Sequence, residues 1–135
     1  MPWLPDTNVW IRYLKKDGHA ALRERLRRIR IPEIRVCSVV KAELEYGALG
    51  YGVPARRLAL VQRTLAPFRS LPFDDAVVSH YARIRHTLER QGQVIGPNDL
   101  LIAAICLANG CTLVTSNTDE FSRVPGLKCE DWSQP

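Results

Sequence analysis

Apolar and polar positions alternate between two periods along this chain, and the switch between them marks its elements. Trp3 to Asp6 reads as a short strand, and Val9, Trp10, Tyr13 and Leu14 then follow a helical period that Lys15-Lys16-Asp17-Gly18 breaks. His19 to Ile29 predicts a second helix, with Leu22, Leu26 and Ile29 on one stripe and Arg23, Arg27 and Arg30 on another face. Pro32 stops it, and Ile34 to Cys37 forms a second strand. Ser38 is placed to cap a helix running to about Leu49, with Gly50 and Gly52 ending it. Pro54 opens a helix to about Leu65, Phe68 to Phe73 alternates as a third strand, and Asp74 begins a long helix ending near Gln91. After a glycine-bearing loop, Asp99 to Ala108 is a helix apolar all round, which predicts burial on every side. Asn109-Gly110 closes it, Cys111 to Thr115 is a fourth strand, and Leu127 to Glu130 a possible fifth. Strand and helix alternate throughout, which argues for an α/β fold: a parallel sheet with helices on both faces, residues 1–135 forming one domain.

Composition agrees, at 46% hydrophobic and 24% charged residues, and the longest apolar run falls short of a membrane span. The start of the chain has no basic-then-apolar signal pattern, so the expected compartment is the cytoplasm. Net charge is +5, carried mainly by Arg, whose planar fork pairs with phosphates, so a polyanion is a candidate partner beside the plainer reading of a solubilising surface. Cys37, Cys106, Cys111 and Cys129 form no C-x-x-C pair and have no His at zinc-finger spacing, so a structural zinc site is not expected. His19, His80 and His86 lie on polar helical segments and read as surface residues.

Four acidic positions stand out. Asp6 ends the first strand and is either a functional carboxylate or a helix cap. Glu43 projects near the middle of an apolar arc formed by Val39, Val40, Ala42, Leu44, Tyr46, Gly47 and Leu49, with Lys41, Glu45 and Ala48 opposite; buried there, it needs a cation, a metal, a proton or an Arg partner. Asp99 opens the apolar helix, as a cap or first-turn carboxylate or as a site residue. Thr115-Ser116-Asn117-Thr118-Asp119-Glu120-Phe121 follows the fourth strand and would meet Asp6 if the two strands are neighbours. Converging carboxylates repel, and an all-oxygen donor set favours a hard cation such as Mg²⁺ or Mn²⁺. Such an ion in a basic protein suits phosphodiester hydrolysis.

Leu4-Pro5-Asp6-Thr7-Asn8, Ala42 to Gly47, Asn98 to Ala104 and Leu113 to Phe121 resemble the four motifs of PIN-domain ribonucleases, in order and over essentially the whole chain. Val124-Pro125-Gly126-Leu127 with Asp131-Trp132 resembles the VapC-type toxins within that family. The resemblance implies a three-layer α/β/α domain around about five parallel strands. It also implies a Mg²⁺- or Mn²⁺-dependent endoribonuclease, a cognate antitoxin (VapB-like) and toxin homodimers. Asp6, Glu43 and Asp99 match the family's most regular acids. The fourth acid falls to Asp119 or Glu120, with Glu120 favoured, because Asn117 occupies a position that is Asp in many members. On this resemblance Asp6 and Asp99 hold the principal ion, Glu43 completes the shell directly or through water, and Thr7, Asn8 and Thr115 orient carboxylates and waters. Asn117 either ligates through its amide oxygen or bonds a bound water.

Rival classes are a non-catalytic RNA- or partner-binding module on the same fold, kept open by Asn117, and a phosphotransfer domain with Asp6 as nucleophile. The latter is disfavoured because Asn8 stands where a second acid belongs and no Lys follows the fourth strand. Tyr46 and Tyr51, at the joint of the Ser38–Leu49 and Pro54–Leu65 helices, fit an antitoxin groove, a homodimer contact or plain surface.

Overall fold

A computed structural model describes residues 2–15 and 18–134; Lys16 and Asp17, in the expected break after the first helix, lie outside them. Five parallel strands are present among these residues: β1 (Trp3–Pro5), β2 (Arg35–Cys37), β3 (Arg69–Leu71), β4 (Thr112–Val114) and β5 (Cys129–Glu130). One ladder runs β1-β4-β5 and another β2-β3, and a parallel bridge between Trp3 and Ile34 sets β2 beside β1. The order across the sheet is therefore 3-2-1-4-5. The chain winds outward on one side of β1 and then crosses to the other, so the direction of winding reverses between β1 and β4. Open α/β sheets leave a crevice at such a point, beyond the carboxyl ends of the strands.

The helices are α1 (Thr7–Leu14), α2 (Ala20–Arg28), α3 (Ser38–Ala48), α4 (Pro54–Leu65), α5 (Asp75–Arg90), α6 (Pro97–Ala108) and the short α7 (Thr118–Phe121). β4 is buried on both faces, as a central parallel strand must be. Beneath it α6 buries Ile102 to Cys106 completely, while Leu101 and Leu107 keep partial access to solvent. Trp10 anchors α1 by packing against Tyr13 and Phe68, with ring centroids 5.8 and 5.4 Å away.

Three local expectations change. Ser38 does not cap α3; it is the first helical residue, because the chain turns from β2 into α3 with no loop and Cys37 takes the cap position. α6 begins two residues before Asp99, at Pro97, whose fixed φ suits a first helical residue and whose missing N–H has no partner to lose there. The broad apolar arc assigned to α3 is also corrected. Its buried stripe is Val40, Leu44 and Ala48, one residue every turn, while Tyr46 and Leu49 stand 80% and 62% exposed. Glu43 accordingly sits half-buried on the flank of α3 rather than in its core face.

Candidate active site

The register of β1 and β4 pairs Trp3 with Thr112, Leu4 with Leu113 and Pro5 with Val114, which carries Asp6 level with Thr115. The Asp6 N–H continues the ladder to the Val114 carbonyl at 2.9 Å. Asp6 is both of the things its position allowed: its Oδ1 caps α1 by accepting from the Val9 N–H at 3.0 Å, and the residue is only 5% exposed at the sheet's carboxyl edge. Burial raises its pKa, against a downward pull from the Thr115 hydroxyl, the Val9 N–H and the Arg12 charge.

Asp6, Glu43 and Asp99 line one cleft of about 740 Å³, together with Thr7, Asn8 and Tyr46. They arrive from three elements, the end of β1, the flank of α3 and the first turn of α6. Glu43 has no Arg partner among the described ion pairs. It is held instead by two neutral donors, the Thr7 hydroxyl at 2.5 Å on Oε1 and the Asn98 amide at 3.3 Å on Oε2. Asp99 has its pKa raised to about 6, first by burial and then by the negative charges of Glu120, Glu43 and Asp6.

Glu120 stands behind Asp99, outside the residues that line the cleft. Its Oε1 accepts from the Gly96 N–H at 3.0 Å and its Oε2 from the Asn117 amide at 2.7 Å. These bonds hold the Glu120 carboxyl below the ordinary glutamate range, the Gly96 N–H contributing most. Gly96 is the joint of this arrangement, since a Cβ there would lie 3.4 Å from the Asp99 Oδ2. Asn117 is thus turned toward Glu120, and its own N–H bonds the Thr115 hydroxyl at 2.9 Å. Asp119 is exposed on the outer side of α7 and Asn8 is exposed at the cleft mouth. Among the described residues no three His, Cys, Asp or Glu side chains already stand at spacing to hold a metal ion. All three histidines are exposed and all four cysteines are free.

Sequence reasoning passed over Asn98, Gly96 and Arg12. Arg12 bonds the Ser116 hydroxyl at 2.7 Å and ties α1 to the loop after β4. Asn98 precedes an acid at a helix start, and Arg12 is the one cation in an otherwise apolar and polar-neutral helix; those were the available signals.

The PIN domain family model matches residues 3–127. A tRNA(fMet)-specific endonuclease VapC of Shigella flexneri is 38% identical over 133 residues, covering 98% of this chain and 99% of that protein. The structure of DNA-bound VapBC from Salmonella typhimurium superposes with a TM-score of 0.90 at 33% identity, covering 98% of each chain. VapBC2 of Rickettsia felis, bound to a promoter DNA fragment, gives 0.88 at 30% identity, covering 98% of this chain and 99% of that one. With the doubly wound sheet and the acids at its switch point, these likenesses place the chain in the PIN domain family, among its VapC members.

Proposed function

We propose that this protein is an endoribonuclease toxin that hydrolyses RNA phosphodiester bonds at the Asp6–Glu43–Asp99 cleft and is restrained by a VapB-like antitoxin in the cytoplasm. The observation that carries the reading is the delivery of three carboxylates from three separate elements to one open cleft. Its relatives named ribonucleases and its likeness to VapBC complexes support the substrate class and the antitoxin, and a homodimer is expected with them.

The donor set fits a divalent cation. It is all oxygen, and the upward shifts at Asp6 and Asp99 show carboxylates whose charge is poorly compensated by the protein alone. Asp6 and Asp99 would hold Mg²⁺, or Mn²⁺ in its place, with Glu43 completing the shell directly or through water. A bound ion supplies Lewis acidity, lowering the pKa of water and offsetting charge on phosphoryl oxygens.

The chain's own residues set the stage. The Thr115 hydroxyl fixes one side of Asp6, and Thr7 with Asn98 orients Glu43 across the cleft. Glu120 has both oxygens engaged, so it works as a strut that joins the start of α6 to the loop after β4 and keeps Asp99 in register. Asn117 orients that strut. Asn8, exposed at the mouth, is free to meet the RNA. Asp119 has no part in this arrangement.

Water attack on phosphorus leaves a 5′ phosphate and a 3′ hydroxyl. Incubation of purified protein with RNA and Mg²⁺, followed by end-group analysis, should show those ends and none with Asp6→Asn. Products ending in 2′,3′-cyclic phosphate would rule the mechanism out.

A further inference from the structure

The cleft presents a physical problem for its own substrate. Asp6, Glu43 and Asp99 line it, so an RNA backbone is repelled where it must be cut, and its binding energy has to come from elsewhere on the molecule. Most arginines are committed within the protein. Arg25, Arg28, Arg30 and Arg85 pair with glutamates, and Arg12, Arg23, Arg35 and Arg123 bond hydroxyl or carbonyl oxygens.

Arg56, Arg57 and Arg63 differ. They share a cleft of about 420 Å³ with Tyr51, Val53 and Leu60 that contains no acidic residue. None of the three has a hydrogen bond or ion pair to another side chain or carbonyl among the described residues. The Arg57 guanidinium lies over the Tyr51 ring, 4.2 Å from its centroid, which pre-positions the planar fork.

This cleft is continuous with the carboxylate site. Tyr46 lines the carboxylate cleft and is 80% exposed, and α3 ends one turn later. Consecutive tight turns (Leu49 N–H to Tyr46 O, Gly50 N–H to Gly47 O, Tyr51 N–H to Ala48 O, all 3.1–3.2 Å) then lead to Tyr51. Exposed aromatic faces with guanidinium groups beside them are what single-stranded RNA binds, bases on the rings and phosphates on the cations.

Resting on the endoribonuclease reading, we propose that the Tyr51–Arg56–Arg57–Arg63 cleft is a backbone dock for the RNA strand that leaves the carboxylate site across Tyr46. It holds phosphates in no particular sequence and supplies affinity that the acidic site cannot.

The test compares wild type with the triple variant Arg56→Ala/Arg57→Ala/Arg63→Ala on a folded tRNA and on a tetranucleotide too short to reach the dock. All three side chains are free of internal bonds, so the thermal midpoint should not move. On tRNA the expected result is a KM raised about tenfold or more with kcat unchanged, and a salt dependence of log KM shallower by about 2, at about 0.7 per lost phosphate contact. The tetranucleotide should show no change, and the corresponding triple Lys variant should recover most of the KM on tRNA. Equal KM and equal salt slope for wild type and the Ala variant on tRNA would overturn the dock. So would unchanged RNA kinetics with an altered oligomeric state by light scattering, which would assign the face to a protein. If wild type cleaves neither RNA, the endoribonuclease reading fails on its own. Fluorescence anisotropy with the uncleaved tRNA then still decides the dock: a roughly tenfold weaker Kd for the Ala variant supports it, and an equal Kd overturns it.

Discussion

At the scale of single residues, Asp6 does two jobs that substitution can separate. Asn is as good an N-cap as Asp, so Asp6→Asn should keep the bond to the Val9 N–H and melt like wild type. Cleavage should nevertheless drop about 100-fold or more, since several kcal/mol of charge stabilisation at phosphorus depend on that carboxylate. Asp6→Ala should lose the activity and about 1 kcal/mol of stability as well, read by urea unfolding. Glu120 gives the contrasting case. Gln retains an oxygen for the Gly96 N–H, and the Asn117 amide can reverse to accept from the new NH₂. Glu120→Gln should therefore keep most activity while Asp99→Asn keeps little; a Gln variant as inactive as Asp99→Asn would make Glu120 a charged participant and not a strut. Asp6 and Asp99 were readable from sequence because each stands at a boundary between an apolar run and a polar turn. The role of Glu120 was not, because its partners are a backbone N–H and an amide that only the fold brings to it.

At the scale of elements, the long helices were legible because packing and period agree, as in α5 and α6. α3 misled because its apolar residues outnumber its buried ones. Tyr46 and Leu49 obey the helical period yet face solvent, and a sequence does not say which of two apolar stripes meets the sheet. The two-residue β5 was marginal for the opposite reason, having almost no backbone pairing of its own. Side chains hold it. Glu130 accepts from the Trp3 indole at 3.2 Å and the Trp132 indole at 3.0 Å, and pairs with Arg25 at 3.3 Å. Trp132 is 2% exposed, so Glu130→Ala would strand its N–H in the interior. The expected loss is about 1–3 kcal/mol in urea unfolding, most of it from the orphaned donor; the Arg25 pair is surface-exposed and adds little.

At the scale of the whole molecule, the clustered acids give the metal-free protein a pH signature. Asp99 titrates near 6 when folded against an ordinary 3.8, and Asp6 shifts in the same direction. Between those values the folded state holds protons that the unfolded chain has released, so stability falls as pH rises from about 4 to about 6. Glu120 and Glu130 are lowered and act oppositely, their contribution being lost only in more acid solution. Thermal melts in chelator should therefore decline across that window for wild type and run flatter for Asp99→Asn. Adding Mg²⁺ at pH 7 should raise the wild-type midpoint in proportion to RT ln(1 + [Mg²⁺]/Kd), with Asp6→Asn insensitive. The wide spacing of the acids along the chain has a consequence for how the protein is made. Asp6 emerges from the ribosome early, and Asp99 follows on the order of 5 to 20 seconds later at roughly 5–20 residues per second. Until α6 is complete and β4 has slid in beside β1, no cutting centre exists. A stalled, frameshifted or prematurely released chain is therefore harmless to the cell that made it, and the protein becomes dangerous only when nearly finished.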